Sequence, residues 1–138
     1  MITLKKKFSD SYNFVFNKTV MMRVDLNVPI SDGKITDSTR ISKIVPTILK
    51  LLEQKAKIII ITHLGRPKGE WNEDFSLSIL VKEIELLTEK KVYFFKNNIK
   101  SVKRQDINEK FKEHDLILLE NIRFYPEEER NEEKFVKK

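Results

Sequence analysis

Three short apolar segments of the sequence are each followed at once by polar side chains that could together form a binding site for an anion. These side chains, with one arginine farther along the chain, are Asp25, Asn27, Arg40, His63, Arg66, Asn121 and Arg123. The guanidinium group of arginine is a planar fork of donors that matches the oxygens of phosphate and carboxylate groups. Three arginines, one histidine and short polar acceptors therefore predict a site for a small polyanion that also carries a hydroxyl group.

Asp25 needs its own explanation, because a carboxylate repels an anion. We expect it either to accept a hydrogen bond from a substrate hydroxyl or to orient an arginine. Each residue also has a plain structural alternative: Asp25 or Asn27 could cap a turn, His63 could be a hydrogen-bonded loop residue, and Arg123 could belong to a surface ion pair. The site prediction therefore depends on whether these residues come together.

Other kinds of chemistry lack their sequence signatures. The chain contains neither G-x-x-x-x-G-K-[ST] nor G-x-G-x-x-G, and its three glycines are Gly33, Gly65 and Gly69, so the sequence does not support a nucleotide site. His63 and His114 have no cysteine partners and no metal-ligand spacing. No serine lies in a G-x-S-x-G elbow. These patterns disfavour both a metal site and a serine hydrolase.

The elements that must position the polar side chains alternate between strand and helix patterns. Strands are predicted at residues 19–24, 57–62, 92–95 and 116–119. One amphipathic helix is predicted to follow residues 37 and 38 and to run to about residue 54, and a second covers residues 77–87. Residues 97–113 are only weakly helical, and residues 126–138 form a charged helix. Asp37 and Ser38 are possible caps of the first helix, and Pro46 should bend it.

This alternation predicts the fold class and the place of the site. Strands that alternate with helices imply βαβ units, and hence a doubly wound α/β domain with a parallel sheet and helices on both faces. The continuous β-branched run at residues 57–62 is typical of a strand buried on both faces. A single domain over residues 1–138 is expected from the length. Ligands bind at the carboxyl ends of such strands, so the polar residues should share one sheet edge.

The overall composition limits which partners the protein is expected to bind and where in the cell it is expected to be. The net charge is +6, and residues 1–70 hold 13 basic and 6 acidic groups, which favours an anionic partner. A basic nucleic-acid-binding module remains an alternative, but the chain lacks a recognition motif, so nucleic acid is not the expected partner. Cysteine is absent, no apolar run reaches the roughly 18 residues of a membrane span, and no secretory signal is present. We expect a cytoplasmic protein without a membrane partner.

Four motifs of the chain resemble those of the phosphoglycerate kinase family, in the same order and at matching spacing. They are RVDLNVP at residues 23–29, ITDSTRI at residues 35–41, THLGRPKG at residues 62–69 and LLENIRFYPEEERN at residues 118–131. The HLGRP element after a β-branched strand is the most specific of them. The resemblance covers nearly the whole chain and implies an incomplete, Rossmann-like N-terminal domain that binds phosphoglycerate.

The resemblance also implies a reaction, the reversible transfer of a phosphoryl group between 1,3-bisphosphoglycerate and ADP to give 3-phosphoglycerate and magnesium ATP. By resemblance, Asp25 and Asn27 would contact the glycerate end of the substrate. Arg40 would be the catalytic residue, because it would neutralise charge on the transferring phosphoryl and carboxyl oxygens.

The distal phosphate of the substrate would have a separate set of contacts. By resemblance, His63, Arg66 and Arg123 would hold this phosphate. Three further residues within the motifs would support the binding residues from behind, namely Arg23, Gly65 and Asn121.

The resemblance further implies that the nucleotide, as Mg-ATP or ADP, binds a C-terminal domain that residues 1–138 do not include. We expect these residues to bind no cofactor or metal and to be inactive unless a complementary C-terminal half joins them. An inert fragment or remnant is the alternative. In the family's sheet the first strand also pairs with later strands, so residues 20–24 should present an open edge. That edge should promote dimers or aggregates unless residues 2–16 or the tail after Phe124 cover it.

Overall fold

The structure is a computed structural model, and it describes residues 2–4, 16–65, 69, 71–96 and 103–124. Its strands are β1 (Ile2–Leu4), β2 (Thr19–Arg23), β3 (Ile30–Ser31), β4 (Lys34–Ile35), β5 (Lys57–Ile61), β6 (Val92–Phe95) and β7 (Leu116–Leu119). Its helices are α1 (Thr39–Glu53), α2 (Ser78–Thr88) and α3 (Arg104–Lys110), with 3-10 turns at Glu73–Phe75 and Ile122–Phe124.

Five of the strands form one parallel sheet with the order β1-β2-β5-β7-β6. The register places Arg23 of β2 beside Ile61 of β5, and Ile60 of β5 beside Leu118 of β7. β6 and β7 coincide with the predicted strands, and β2 and β5 end one residue earlier than predicted. The predicted α/β fold with a parallel sheet is confirmed.

The core lies on both faces of the sheet, because the strands are continuous apolar runs whose side chains alternate between the two faces. Ile58 and Ile60 pack in one buried cluster with residues of α1 and α2. Ile59 and Ile117 belong to a second buried cluster, against which Ile107 of α3 packs. Helices therefore cover both faces, as the sequence predicts.

The start of α1 is fixed by a carboxylate. Ser38 occupies the N-cap position but makes no side-chain bond to the helix backbone. Asp37, one residue earlier, supplies the carboxylate: its Oδ1 accepts hydrogen bonds from the backbone N–H of Thr39 (2.9 Å) and from the Thr39 hydroxyl. Ser38 instead donates its hydroxyl to Oε1 of Glu83 at 2.7 Å, which ties the start of α1 to α2. Pro46 lies inside α1, and the bend expected there stays a prediction.

Two elements go beyond the sequence prediction. The loop after β2 contains an antiparallel hairpin of β3 and β4, whose turn residues Asp32 and Gly33 both have positive φ angles (51° and 73°). An Asp-Gly pair suits a two-residue hairpin turn because both central residues must adopt such angles. The weakly helical segment before β7 contains the short helix α3. The helix predicted at residues 126–138 lies outside the described residues.

The expectation of an open edge on β2 is wrong. β1 pairs with β2 in parallel over the register Ile2–Val20, Thr3–Met21 and Leu4–Met22, while β5 pairs with its other side. The N-terminal segment thus covers the edge that was expected to be exposed. Pairing of two chains through the edge of β2 loses its physical basis, because the main-chain groups on that side already face a strand.

Protonation of Asp37 should weaken α1. Hydrogen bonds from the Thr39 hydroxyl and backbone, with a smaller contribution from the charge of Arg40, lower the pKa of Asp37 below its ordinary value. A lowered pKa means that the ionised form stabilises the fold above the unfolded-state pKa, and that this contribution is lost as pH falls through the folded-state pKa. Asp37→Asn should therefore reduce stability at pH 7, and its difference from the unsubstituted chain should shrink below about pH 4.

Urea unfolding at pH 7 and at pH 3 checks this expectation. Asp32→Asn, in the exposed hairpin turn, is the matched control and should behave like the unsubstituted chain. A difference between Asp37→Asn and the unsubstituted chain that is equally large at both pH values would contradict the capping role.

Candidate functional site

The carboxyl ends of β2, β5 and β7 lie side by side, because the three strands are parallel neighbours in the sheet. With strands spaced about 4.8 Å apart, roughly 10 Å separates the ends of β2 and β7. The segments that follow these strands carry the polar residues singled out from the sequence. The fold thus brings the three segments to one edge of the sheet.

Asp25 and Arg40 contact each other directly at this edge. Nη1 of Arg40 donates to Oδ1 of Asp25 (3.0 Å) and to the backbone carbonyl of Asn27 (3.0 Å). The same Oδ1 accepts from the backbone N–H of Asn27 at 3.1 Å, so Asp25 both caps a turn and orients the arginine. Both of these hydrogen bonds come from Nη1. The donors on Nη2 and Nε of the same guanidinium group take no part in them.

The Asp25–Arg40 ion pair is exposed, with 63% and 49% of the two side chains accessible to solvent. An exposed pair of this kind contributes only about 0–1 kcal/mol to stability. Its main effect is therefore to hold the guanidinium group over the end of β2 rather than to stabilise the fold.

Asn27 links the segment after β2 to the segment after β5. Its Oδ1 accepts a hydrogen bond from the backbone N–H of Gly65 at 2.9 Å. Because Oδ1 is used in this way, Nδ2 is the group with which Asn27 could meet a ligand oxygen. Asn27 thus shapes the site and keeps a donor for a ligand.

Gly65 is required by the geometry of this loop. Its φ angle is +63°, and a Cβ atom at this position would overlap the ring of Phe75. Only glycine adopts such an angle readily and allows the ring to approach so closely. Arg66, the next residue, lies outside the described residues.

Thr62 and His63 begin the same loop. Thr62 is fully buried; its Oγ1 accepts from the backbone N–H of Leu26 at 3.0 Å, and its carbonyl accepts from the N–H of Ile122 at 3.2 Å. Thr62 thus joins all three strand ends, a role that the sequence analysis missed. The sequence feature that indicates this role is a residue with a hydroxyl group directly after the run of isoleucines. His63 follows it and is half-buried.

Asn121 is fully buried after β7 and uses both ends of its amide. Nδ2 donates to the carbonyls of Leu64 (2.8 Å) and Phe75 (2.9 Å), and Oδ1 accepts from the backbone N–H of Arg123 (3.0 Å). Asn121 therefore joins the loop after β5 to the turn after β7, and its expected role in supporting a binding site stays a prediction. Arg23, the third residue predicted to give support besides Gly65 and Asn121, is half-buried at the end of β2.

Glu120 is a buried carboxylate that the sequence analysis did not assign to the site; only 4% of it is exposed. Oε1 accepts from the backbone N–H groups of Leu77 (2.8 Å) and Asn121 (2.9 Å), and Oε2 accepts from the hydroxyl of Ser76 (2.7 Å). Leu77 is the residue just before α2, so the negative charge lies at the positive end of that helix. The signal was a charged residue at the end of a fully buried strand.

Arg123 lies in the 3-10 turn Ile122–Phe124 and is half-buried. Its carbonyl accepts from the N–H of Gly69 at 3.1 Å, so the far end of the loop after β5 is also attached to this turn. The ring of Trp71 lies 6.3 Å from that of Phe124, beside the same turn. The chain contains one tryptophan, which makes Trp71 a local fluorescence probe.

The arrangement can bind an anion by charge and hydrogen bonding. Arg40, His63 and Arg123 come to one edge of the sheet on segments that are hydrogen-bonded to one another, through Asn27 and Gly65 and through Asn121 and Leu64. Within the described residues, no group of three or more His, Cys, Asp or Glu side chains could hold a metal ion. In the same part of the chain, no helix is both long enough and apolar enough to span a membrane.

Comparison with known proteins identifies relatives that match most of this chain. The family model for phosphoglycerate kinase matches residues 11–138. The phosphoglycerate kinase of Agrobacterium fabrum is 43% identical over 130 residues, which cover 94% of this chain and 32% of the relative. That of Rhizobium meliloti is 41% identical with the same coverage. This chain thus spans about a third of the length of these curated relatives.

Solved structures agree with the sequence comparison. Phosphoglycerate kinase from Coxiella burnetii superposes with a TM-score of 0.66 at 38% identity, over 80% of this chain and 27% of that structure. The enzyme from Pyrococcus horikoshii gives a TM-score of 0.67 at 36% identity, over 83% of this chain and 27% of that structure. Together with the family match over residues 11–138, these likenesses show that the chain belongs to the phosphoglycerate kinase family, a family of phosphotransferases.

Proposed function

We propose that residues 1–138 form the phosphoglycerate-binding part of a phosphoglycerate kinase. The observation that carries the proposal is the attachment of Arg40 to Asp25 and to the carbonyl of Asn27, at the edge where the loops after β5 and β7 also begin. This places a cationic fork beside polar groups that suit a hydroxyl-bearing anion. The substrates are 3-phosphoglycerate and 1,3-bisphosphoglycerate, which have this chemistry.

At the reacting end, the phosphoryl group moves between a carboxyl oxygen of the glycerate and the terminal phosphate oxygen of ADP. The bond from phosphorus to the carboxyl oxygen breaks as the bond to the nucleotide oxygen forms, so the glycerate leaves as a carboxylate. Arg40 neutralises the negative charge on the transferring phosphoryl and carboxyl oxygens. Asp25 and Asn27 contact the glycerate end, and Asp25 also keeps the guanidinium group in position.

At the other end, His63, Arg66 and Arg123 hold the phosphate that does not react. Two hydrogen bonds support this assignment: the amide of Asn121 joins the loop of His63 to the backbone of Arg123, and Gly69 joins the end of that loop to the same turn. The loop of His63 and the turn of Arg123 are therefore held in fixed positions relative to each other. Charge-assisted bonds of this type are about twice as strong as neutral ones.

The nucleotide, as Mg-ATP or ADP, is a second substrate for which residues 1–138 contain no glycine-rich phosphate loop. We assign its binding to a complementary C-terminal half. Closure of the two halves would then align the reacting groups and exclude water. The assembled enzyme would be a cytoplasmic protein of glycolysis, and residues 1–138 by themselves would bind substrate without turnover.

Removal of either arginine should weaken substrate binding. A charge-assisted hydrogen bond contributes about 1.5–3 kcal/mol, so Arg40→Ala and Arg123→Ala should each lower the affinity for 3-phosphoglycerate about ten- to a hundredfold. Isothermal titration calorimetry on the 138-residue chain measures this change.

The matched control is Lys57→Ala, which removes an exposed cation at the start of β5, the opposite end of the sheet. It should leave the affinity unchanged. Equal affinities for Lys57→Ala and the two arginine variants would contradict the assigned site, because a general effect of net charge would then explain binding.

The 138-residue chain should show no kinase activity by itself. A coupled assay with ATP and 3-phosphoglycerate, on protein freed of host enzymes, should give the same rate with and without the chain. The physical reason is that the phosphoryl group cannot be positioned without a nucleotide site. ATP-dependent turnover that disappears with Arg40→Ala would overturn this expectation.

A further inference from the structure

Two loops of the candidate site are attached to one buried side chain. Asn121 bonds to the carbonyl of Leu64, which lies between His63 and Gly65, and also to the backbone N–H of Arg123. These two attachments lie on opposite ends of the same amide group. Any rotation or shift of this amide would therefore change the separation between the loop after β5 and the turn that carries Arg123.

The side-chain amide of Asn121 is held in one position by its surroundings. Its three hydrogen bonds, to Leu64, Phe75 and Arg123, are 2.8–3.0 Å long, and the side chain is fully buried. The backbone N–H of Asn121 is held in turn by the buried carboxylate of Glu120 at 2.9 Å. A buried polar network that is satisfied in this way is rigid, because breaking any one bond leaves a polar group without a partner.

Glu120 connects this network to α2. Its carboxylate accepts from Leu77 and Ser76 at the start of that helix, where the helix dipole favours a negative charge. α2 packs in the main buried cluster, so the network has an anchor in the core of the domain. The position of Asn121 is thus set by the core rather than by the exposed loops.

We propose that Asn121, seated by Glu120, is a positioning residue that sets the spacing between the loop of His63 and the turn of Arg123, and through this spacing the affinity for the substrate phosphate. This inference rests on the proposed function. Asn121 does not touch the ligand itself. It acts through the loop of His63 and the turn of Arg123, which do.

A double-mutant cycle on the 138-residue chain tests the inference, with 3-phosphoglycerate as the ligand and either NMR titration or Trp71 fluorescence as the readout. Asn121→Asp keeps the size of the side chain and the acceptor for Arg123, but replaces the two donors with a charge that repels two carbonyls. This variant should lose about tenfold in affinity. In the Arg123→Ala background, the same change should cost less than about threefold, because coupled residues are not additive.

Two further variants separate positioning from general destabilisation. Thr88 lies at the end of α2 away from the site, and its buried hydroxyl donates to the carbonyl of Ile84. Thr88→Ala removes this bond, so the variant destabilises the fold without changing a residue of the site. At a temperature where circular dichroism shows it fully folded, its affinity should equal that of the unsubstituted chain. Asn121→Ser is the second test variant if Asn121→Asp does not fold, and it should weaken binding in the same direction because serine is too short to bridge both loops.

Each outcome has a distinct meaning. If the unsubstituted chain does not bind 3-phosphoglycerate at all, the proposed function itself fails. If it binds, but the folded Asn121 variants bind equally well, the proposed function stands and the positioning role is overturned. Losses that are fully additive with Arg123→Ala, or a matching loss in Thr88→Ala, would also overturn it, because both results point to a merely structural effect.

Discussion

The parallel pairing of β5 with β2 on one side and β7 on the other is the constraint on which the rest of the structure depends. Burial of the isoleucine run Ile58–Ile61 on both faces holds β5 at the centre of the sheet, and burial of a side chain of this size is favourable by about 1.5–3 kcal/mol. Once these three strands are parallel neighbours, their carboxyl ends must share one edge. The candidate site follows from that arrangement, since its residues lie on the three segments that leave this edge.

The polar groups at this edge have two different roles. The buried ones, Thr62, Glu120 and Asn121, hold the three segments together through hydrogen bonds that solvent cannot replace. The exposed pair of Asp25 and Arg40 adds little stability, because water screens it. This division suits an anion site: the scaffold is rigid, while the cation that would meet the ligand remains accessible to solvent.

Much of the fold could be predicted from the sequence, because strands such as Leu116–Leu119 are apolar runs with clear ends. The edge of β2 was misjudged because the three-residue strand β1 carries no periodicity, and its pairing is set by distant residues. That the segments after β2, β5 and β7 share one edge could be predicted, because the carboxyl ends of parallel strands lie at the same edge of a sheet. By contrast, the sequence marks Glu120 only as a charged residue at the end of a buried strand. It does not indicate which groups this carboxylate binds, because Ser76 and Leu77 lie more than forty positions away along the chain.

An NMR titration of the isotopically labelled 138-residue chain with 3-phosphoglycerate shows whether this edge of the sheet binds the substrate. We expect the largest changes in amide chemical shift at the carboxyl edge of the sheet, in residues 25–27, 40, 62–65 and 121–123. Amides at the opposite edge, such as those of Lys18, Lys57 and Lys91, should stay unchanged. Changes centred on those lysines, or no saturable change at millimolar ligand, would contradict the assignment of this edge as the phosphoglycerate site.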